Sequence, residues 1–188
     1  QAQLTTHLMG DRTVVFYPED FNPIETLPSF ALLEEPDSIG PVPADWTIFP
    51  EFFMEDGKNV ATIQTEEDID LYGTGAETGD LRRNSTTIIM RNTDNNRYRI
   101  PNRLYQSHPW ILAVRTDGSA YGILVDHTWK QEFQLDNPIR IISEGPPFRI
   151  IVIERDSPQE IMMALGELSG TIELPPLWAL GYHQCRYS

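Results

Sequence analysis

Residues 92 to 105, with the sequence NTDNNRYRIPNRLY, combine one carboxylate with several amide and phenol side chains. Asp94 is the carboxylate, Asn96 is among the amides and Tyr105 is among the tyrosines. Carboxylate and amide groups suit the paired hydrogen bonds of sugar hydroxyls, and an aromatic ring can form one wall of a sugar site. The stretch lies between two strong strand patterns, which predicts an ordered loop. On local features alone, a surface loop with a turn-forming aspartate is the better explanation.

Other residues with ligand or catalytic chemistry lack the spacing that defines a site. The acidic residues 66 to 70 have neither the glycine nor the ligand alternation of a calcium loop, so a solvated face is the better interpretation. The glycine-rich residues 71 to 79 lack the lysine of a phosphate loop and predict a long turn that approaches something closely. We therefore predict no metal and no cofactor. The four histidines, which show no metal-ligand spacing, are His7, His108, His127 and His183.

The composition restricts the partners and the compartment. The 188 residues include 14 Lys and Arg against 28 Asp and Glu, which gives a formal net charge of -14. This charge repels phosphate backbones and anionic lipid headgroups, so we expect no nucleic-acid and no membrane partner. Apolar runs are far shorter than the roughly 18 residues of a membrane span, and the first residues lack a signal-peptide pattern. With Cys185 as the single cysteine, these features predict a cytoplasmic protein.

Short runs of β-branched and aromatic residues dominate the chain and predict a mainly β fold. Many antiparallel strands separated by turns favour a two-sheet β-sandwich, because two sheets bury each other's apolar faces. The sequence Thr116-Asp117-Gly118-Ser119 predicts a tight hairpin over residues 110 to 126. The predicted strands are Val14 to Tyr17, Trp46 to Met54, Val60 to Gln64, Thr86 to Met90, Trp110 to Arg115, Tyr121 to Val125, Glu132 to Leu135, Ile139 to Ser143 and Phe148 to Glu154.

One helix is predicted near the end of the chain. Ser157 is placed to cap it, Pro158 suits its first position and Glu160 completes a capping box. Three apolar residues then recur at helical spacing before Gly170, which can end the helix. These residues are Ile161, Leu165 and Leu168.

The residues after this helix predict a second kind of fold. Pro175 and Pro176 precede the apolar run Leu177 to Leu180, which is typical of a strand buried in a parallel sheet. We therefore expect a domain boundary near Asp156, with a sandwich over residues 1–156 and a connecting helix and new strand over 157–188. Exposed apolar side chains in the tail, residues 174–188, would favour burial. The tail is accordingly expected to fold back on the sandwich or to drive self-association.

Several stretches together resemble the front of glycoside hydrolase family 31, whose members are α-glucosidases, α-xylosidases and α-glucan lyases. The resemblance covers residues 71 to 188, while residues 1 to 70 match only as a strand-rich lead-in. Its most specific element is the terminal one, which is similar to the entry into the family's catalytic barrel. The matching stretches are LYGTGAETGDLRR (71 to 83), NTD (92 to 94), LYQSHPW (104 to 110), DGSAYGILVD (117 to 126), DSPQEI (156 to 161) and LPPLWALGYHQCRYS (174 to 188).

The resemblance implies an amino-terminal β-sandwich of galactose-mutarotase-like fold, a supersandwich, followed by the first strand of a truncated (β/α)8 barrel. In that family Asp94 would accept hydrogen bonds from sugar hydroxyls and Tyr105 would pack on the ring. The catalytic aspartates would lie on later barrel strands, so this chain would carry no catalytic residue and would be inactive without the barrel. The implied substrate of the parent enzyme is an α-glucoside or oligosaccharide. Two alternatives stay open: a free-standing carbohydrate-binding module and a purely structural sandwich.

Overall fold

The computed structural model describes residues 4–26, 38–93 and 104–184. Within these ranges the chain forms eleven β-strands, two α-helices and one short 3-10 helix. The elements are β1 (Thr5–Gly10), β2 (Thr13–Tyr17), α1 (Pro23–Thr26), β3 (Pro50–Glu55), β4 (Lys58–Ile63), β5 (Asp70–Gly75), β6 (Thr87–Met90), β7 (Ser107–Val114), β8 (Ala120–Asp126), β9 (Gln131–Leu135), β10 (Ile139–Ser143), β11 (Arg149–Arg155), α2 (Pro158–Ser169) and the 3-10 helix Leu177–Leu180.

Two antiparallel sheets pack face to face, which confirms the predicted mainly β sandwich. The six-stranded sheet has the order β1-β2-β11-β8-β7-β5 and the five-stranded sheet has the order β3-β4-β10-β9-β6. Alternate residues of both sheets point inward and form the main core, as the two-residue period of a strand requires. Its fully buried members include Phe16, Ile63, Phe133, Ile141 and Ile150.

The six-stranded sheet is covered on its outer face as well. Helix α2 lays Ile161 and Ala164 against this face, where they join a second apolar cluster with Val15, Leu124 and Ile151. Burial on both faces explains why every residue of β8 is buried. Burial of Ile161 and partial burial of the other two predicted apolar residues of α2 confirm the predicted helical face.

The start of α2 has the predicted capping geometry. The Glu160 backbone N–H donates to Ser157 Oγ at 3.4 Å, and Ser157 Oγ donates to Glu160 Oε2 at 3.0 Å. Pro158 occupies the first helical position and Gly170 follows the last helical residue. The helix prediction over these residues is therefore confirmed.

The most specific strand prediction, the hairpin over residues 110 to 126, is confirmed. Strands β7 and β8 pair from Trp110 opposite Leu124 to Val114 opposite Ala120. Gly118 takes a φ of 89° in the connecting turn, as the Asp-Gly sequence predicts. Strand β10 begins and ends at the predicted residues, whereas the run from Trp46 forms a strand only from Pro50.

The predicted long turn over residues 71 to 79 is partly wrong, because Asp70–Gly75 forms strand β5. This strand pairs with β7, and its register shifts between Gly73 and Gly75. Gly73 has a φ of 106°, and an added Cβ there would lie 2.5 Å from the Trp110 carbonyl oxygen. The glycines therefore mark a bulge and a close backbone approach inside a strand rather than a turn. Strand β1 was not predicted.

The tail differs most from expectation. Leu177–Leu180 forms a 3-10 helix instead of a strand, with the Ala179 N–H donating to the Pro176 carbonyl at 2.9 Å. Trp178 is 80% exposed, so the prediction that the tail folds back on the sandwich is wrong. A strand needs hydrogen-bonding neighbours, and a short apolar run does not by itself distinguish a strand from a helical turn. The expected first barrel strand is therefore not confirmed.

None of the described helices is long and apolar enough to cross a membrane.

Candidate functional site

The structure describes one of the three predicted sugar-binding residues. Asp94 and Asn96 lie outside the described residues, as does the middle of the predicted ordered loop. Tyr105 is described just before strand β7 and is 60% exposed. One predicted residue is therefore placed at the surface where the loop rejoins the sandwich.

The base of this loop is fixed by hydrogen bonds between its two ends. The Thr93 N–H donates to the Leu104 carbonyl oxygen at 2.9 Å, and the Ser107 N–H donates to Asn92 Oδ1 at 2.7 Å. The flanking strands belong to different sheets, since β6 is an edge of the five-stranded sheet and β7 is next to an edge of the other. Thr93 and Leu104, the described residues on either side of the loop, therefore meet at one point on the rim of the sandwich.

A cavity of about 520 Å³ lies beside the loop base. Its walls come from the loop base and from the connection between β8 and β9, which also crosses between the sheets. Among the described residues that line it, none is an aspartate or glutamate. The cavity therefore combines amide, hydroxyl, cationic and aromatic groups. The lining residues used below are Arg91, Asn92, Ser107, His127, Trp129 and Lys130.

His127 is a buried residue in the wall of the cavity. Its side chain is 2% exposed, and its Nε2 lies 2.7 Å from Ser143 Oγ. Its ring also stacks on Phe148 at a centroid distance of 5.2 Å. Burial lowers the pKa of His127 to about 4, against a smaller opposing effect of the Thr26 backbone. At neutral pH the ring is therefore an uncharged part of the framework.

The same serine holds the turn on which Trp129 rests. The Gly145 N–H donates to Ser143 Oγ at 3.0 Å, and Asn59 Nδ2 donates to the Gly145 carbonyl at 2.8 Å. A Cβ added at Gly145 would lie 2.5 Å from Cγ of Trp129, so the indole rests directly on the glycine. Only glycine permits this contact, and Trp129 still remains 48% exposed.

Gln131 ties the first residue of β9 to the same connection. Its Nε2 donates to the His127 carbonyl at 2.8 Å, and the side chain is 2% exposed. Its Oε1 is buried with no hydrogen-bond partner in the described part of the chain. The wall of the cavity therefore contains an amide acceptor with unused capacity.

A second cavity, of about 720 Å³, has an apolar lining with acidic residues at its border. No residue of the loop base lines it, whereas Asn92 and Ser107 line the smaller cavity; Tyr105 lines neither. We therefore place the candidate site at the smaller cavity. The main aromatic residues of the larger one are Tyr17, Phe49, Phe52, Phe53 and Phe148.

No group of three or more His, Cys, Asp or Glu side chains that could hold a metal ion occurs within residues 4–26, 38–93 and 104–184.

The fold and the candidate site define a β-sandwich domain with a loop and a mixed polar and aromatic cavity at one rim. The chain belongs to the family described as the glycosyl hydrolase 31 N-terminal galactose mutarotase-like domain, which matches residues 28–134. The family resemblance found in the sequence is thereby confirmed.

The matching curated proteins are much longer than this chain. Alpha-glucosidase 2 of Bacillus thermoamyloliquefaciens is 39% identical over 122 residues, which are 62% of this chain and 15% of that protein. The alpha-glucosidase of Saccharolobus solfataricus is 32% identical over 136 residues, which are 67% of this chain and 19% of that protein. The chain thus spans less than a fifth of the length of these two relatives.

Solved structures show the same fold. A Family 31 alpha-glucosidase from Bacteroides thetaiotaomicron has 48% identity and a TM-score of 0.63, over 72% of this chain and 24% of that one. A GH31 dextranase from Flavobacterium johnsoniae, complexed with isomaltotriose, has a TM-score of 0.75 over 95% of this chain and 27% of that one. Its 21% identity supports a shared fold alone.

Sequence reasoning missed the β8–β9 connection as part of a site. It treated His127 as a lone histidine, and it gave no role to Trp129. A signal was present, since a tryptophan stands between Thr128 and Lys130 in a polar connection between two strands. The contact between this tryptophan and Gly145 depends on the packing of separate turns and has no signature in the local sequence.

Proposed function

We propose that this chain is the amino-terminal sandwich of a family-31 α-glucosidase-like glycoside hydrolase and that its loop lines the sugar-binding subsite. In this proposal Asp94 and Asn96 hydrogen-bond to sugar hydroxyls and Tyr105 packs against the sugar ring. The substrate of the parent enzyme is an α-glucoside or an oligosaccharide. The chain's part is to bind and orient this substrate.

The main support is the fixed base of the loop. Hydrogen bonds at Thr93 and Ser107 bring both ends of the loop to one point, so Asp94 is one residue from a rigid anchor. Tyr105, at the other end, presents most of its side chain to solvent. A carboxylate and an aromatic ring at opposite ends of one closed loop suit a polar, ring-shaped ligand.

The same assignment predicts the domain organisation and the activity of the chain. We infer a domain boundary near Asp156, with the catalytic carboxylates supplied by a barrel that packs against the sandwich. The chain alone is then inactive, as it contributes no catalytic residue. A cytoplasmic location also stays a prediction from the sequence.

The experiment that tests the proposal is Asp94→Asn in the full-length enzyme. The variant keeps the shape of the side chain but removes the charge, and hydrogen bonds to a charged group contribute roughly 1.5 to 3 kcal/mol. We expect kcat/KM for maltose or a chromogenic α-glucoside to fall by about 10- to 150-fold.

Asp136→Asn is the matched control. Asp136 is exposed and follows the end of β9 remote from the loop, because Gln131 at the start of β9 pairs with Met90. This control is expected to keep wild-type kinetics. Unchanged kinetics in a folded Asp94→Asn variant would refute the sugar-binding role and leave a structural sandwich. Saturable sugar binding by the isolated chain would instead favour a free-standing binding module.

Self-association through the tail, residues 174–188, is a further prediction of ours. Trp178 and Tyr182 are 80% and 91% exposed, and such large apolar surfaces favour association. We expect the chain to sediment as a concentration-dependent oligomer and a version ending at Gly170 to sediment as a monomer. Identical monomers for both would refute this prediction.

A further inference from the structure

We propose that Trp129 is a stacking platform for a second sugar unit of an oligosaccharide held at the neighbouring loop. The platform lies in the cavity of about 520 Å³ that the loop base shares with the β8–β9 connection. This inference rests on the proposed function, because the first sugar unit is the one that the loop binds.

The indole of Trp129 is held firmly from behind. Trp129 rests on Gly145, whose turn is held by hydrogen bonds from Asn59 and to Ser143. Ser143 is fully buried and is held in turn by His127. A side chain backed in this way loses little conformational freedom on binding, so it is a pre-organised surface for a ligand.

Trp129 combines an exposed aromatic surface with polar neighbours. The indole is 48% exposed, and a single exposed apolar residue needs no functional explanation by itself. Here, however, Asn92, Ser107 and Lys130 line the same cavity. An aromatic surface bordered by hydrogen-bonding groups matches a sugar, which has an apolar face and polar edges.

The charged residues that line the cavity are basic rather than acidic. The chain has a formal net charge of -14, yet none of the described residues that line this cavity is acidic. The ammonium of Lys130 pairs with Glu144 at 3.2 Å, which balances its charge at the rim. Arg91 is the other cation of the lining, and arginine and lysine side chains can donate hydrogen bonds to the hydroxyls of an uncharged oligosaccharide.

The cavity that contains Trp129 is continuous with the base of the loop. Asn92 and Ser107 form the hydrogen bond that closes the loop base, and both line the cavity with Trp129. A sugar chain that contacts the loop base can therefore extend over the indole. The platform consequently contributes only when the ligand is longer than the part held by the loop.

Trp129→Ala in the full-length enzyme tests this dependence on chain length. We expect kcat/KM to fall on the order of tenfold for an α-linked tetrasaccharide, and less than about twofold for α-glucosyl fluoride, which offers only one sugar unit. Trp129→Phe keeps an aromatic face and is expected to recover part of the loss. Phe53→Ala, an exposed aromatic on β3 that lines the other cavity, is the matched control and should show no length dependence.

Asp94→Asn, measured on the same two substrates, separates this inference from the proposed function. If Asp94→Asn lowers kcat/KM on both substrates while Trp129→Ala keeps wild-type values on both, the platform is overturned and the loop proposal stands. Wild-type values for both variants overturn both proposals. An equal loss on both substrates in Trp129→Ala overturns the platform and assigns the residue to structural support. If Trp129→Ala does not fold, Trp129→Leu, which keeps apolar bulk over Gly145 without an aromatic face, replaces it in the same assay, and wild-type values for it on both substrates overturn the platform.

Discussion

Asp126→Asn is expected to lower the free energy of unfolding of this chain by roughly 3 to 5 kcal/mol, the range for breaking a buried ion pair. Arg149 Nε donates to Asp126 Oδ2 at 2.6 Å, and the two side chains are 4% and 0% exposed. The guanidinium also lies over Tyr17 and Phe21, at 6.0 and 5.9 Å from the ring centroids. Loss of the carboxylate would leave a cation among aromatic rings without its counter-charge. Urea unfolding at neutral pH measures the change.

The control for this prediction is an ion pair at the surface. Glu55 accepts a hydrogen bond from Arg140 at 2.5 Å, but their side chains are 50% and 28% exposed. Glu55→Gln should therefore cost less than about 1 kcal/mol. The double variant Asp126→Leu with Arg149→Met, which removes both charges, is expected to regain much of the stability lost in Asp126→Asn. Equal losses in Asp126→Asn and Glu55→Gln would contradict the prediction.

The elements that the sequence predicts well are those determined by local chemistry. The turn at Asp117-Gly118 and the cap at Ser157 each depend on residues within a few positions, and both have the predicted geometry. Strand β10 also follows its local pattern of alternating burial. In contrast, Leu177–Leu180 has an apolar pattern that fits a strand or a helical turn. Its secondary structure therefore depends on the elements that pack beside it.

The candidate site was predictable only where it is one continuous segment. The loop from 92 to 105 stands out by composition, and its family match directs attention to Asp94 and Tyr105. The support of Trp129 comes from separate parts of the chain, since Ser143 follows His127 by 16 residues and Asn59 precedes Gly145 by 86. Such contacts depend on strand register and on the packing of the two sheets. Periodicity along one strand does not encode them.

His127 makes the stability of the chain depend on pH in a predictable direction. Burial lowers its pKa from an ordinary value of 6.5 to about 4 in the folded chain. Between these values the unfolded chain binds the proton and the folded chain does not, so stability falls as the pH falls. The contribution is complete above about pH 6.5 and is lost progressively toward about pH 4. Each pH unit corresponds to about 1.36 kcal/mol, and the part of this range that lies between pH 7.0 and 4.5 gives a total of roughly 2 kcal/mol.

His127→Gln isolates this contribution, because the replacement does not titrate. The measured quantity is the difference in free energy of unfolding between wild type and variant, by urea at pH 7.0, 5.5 and 4.5. Protonation of carboxylates affects both proteins alike and cancels in this difference. We expect the wild-type advantage to shrink by roughly 2 kcal/mol from pH 7.0 to 4.5. A difference for His127→Gln that stays constant with pH would contradict the buried, uncharged histidine.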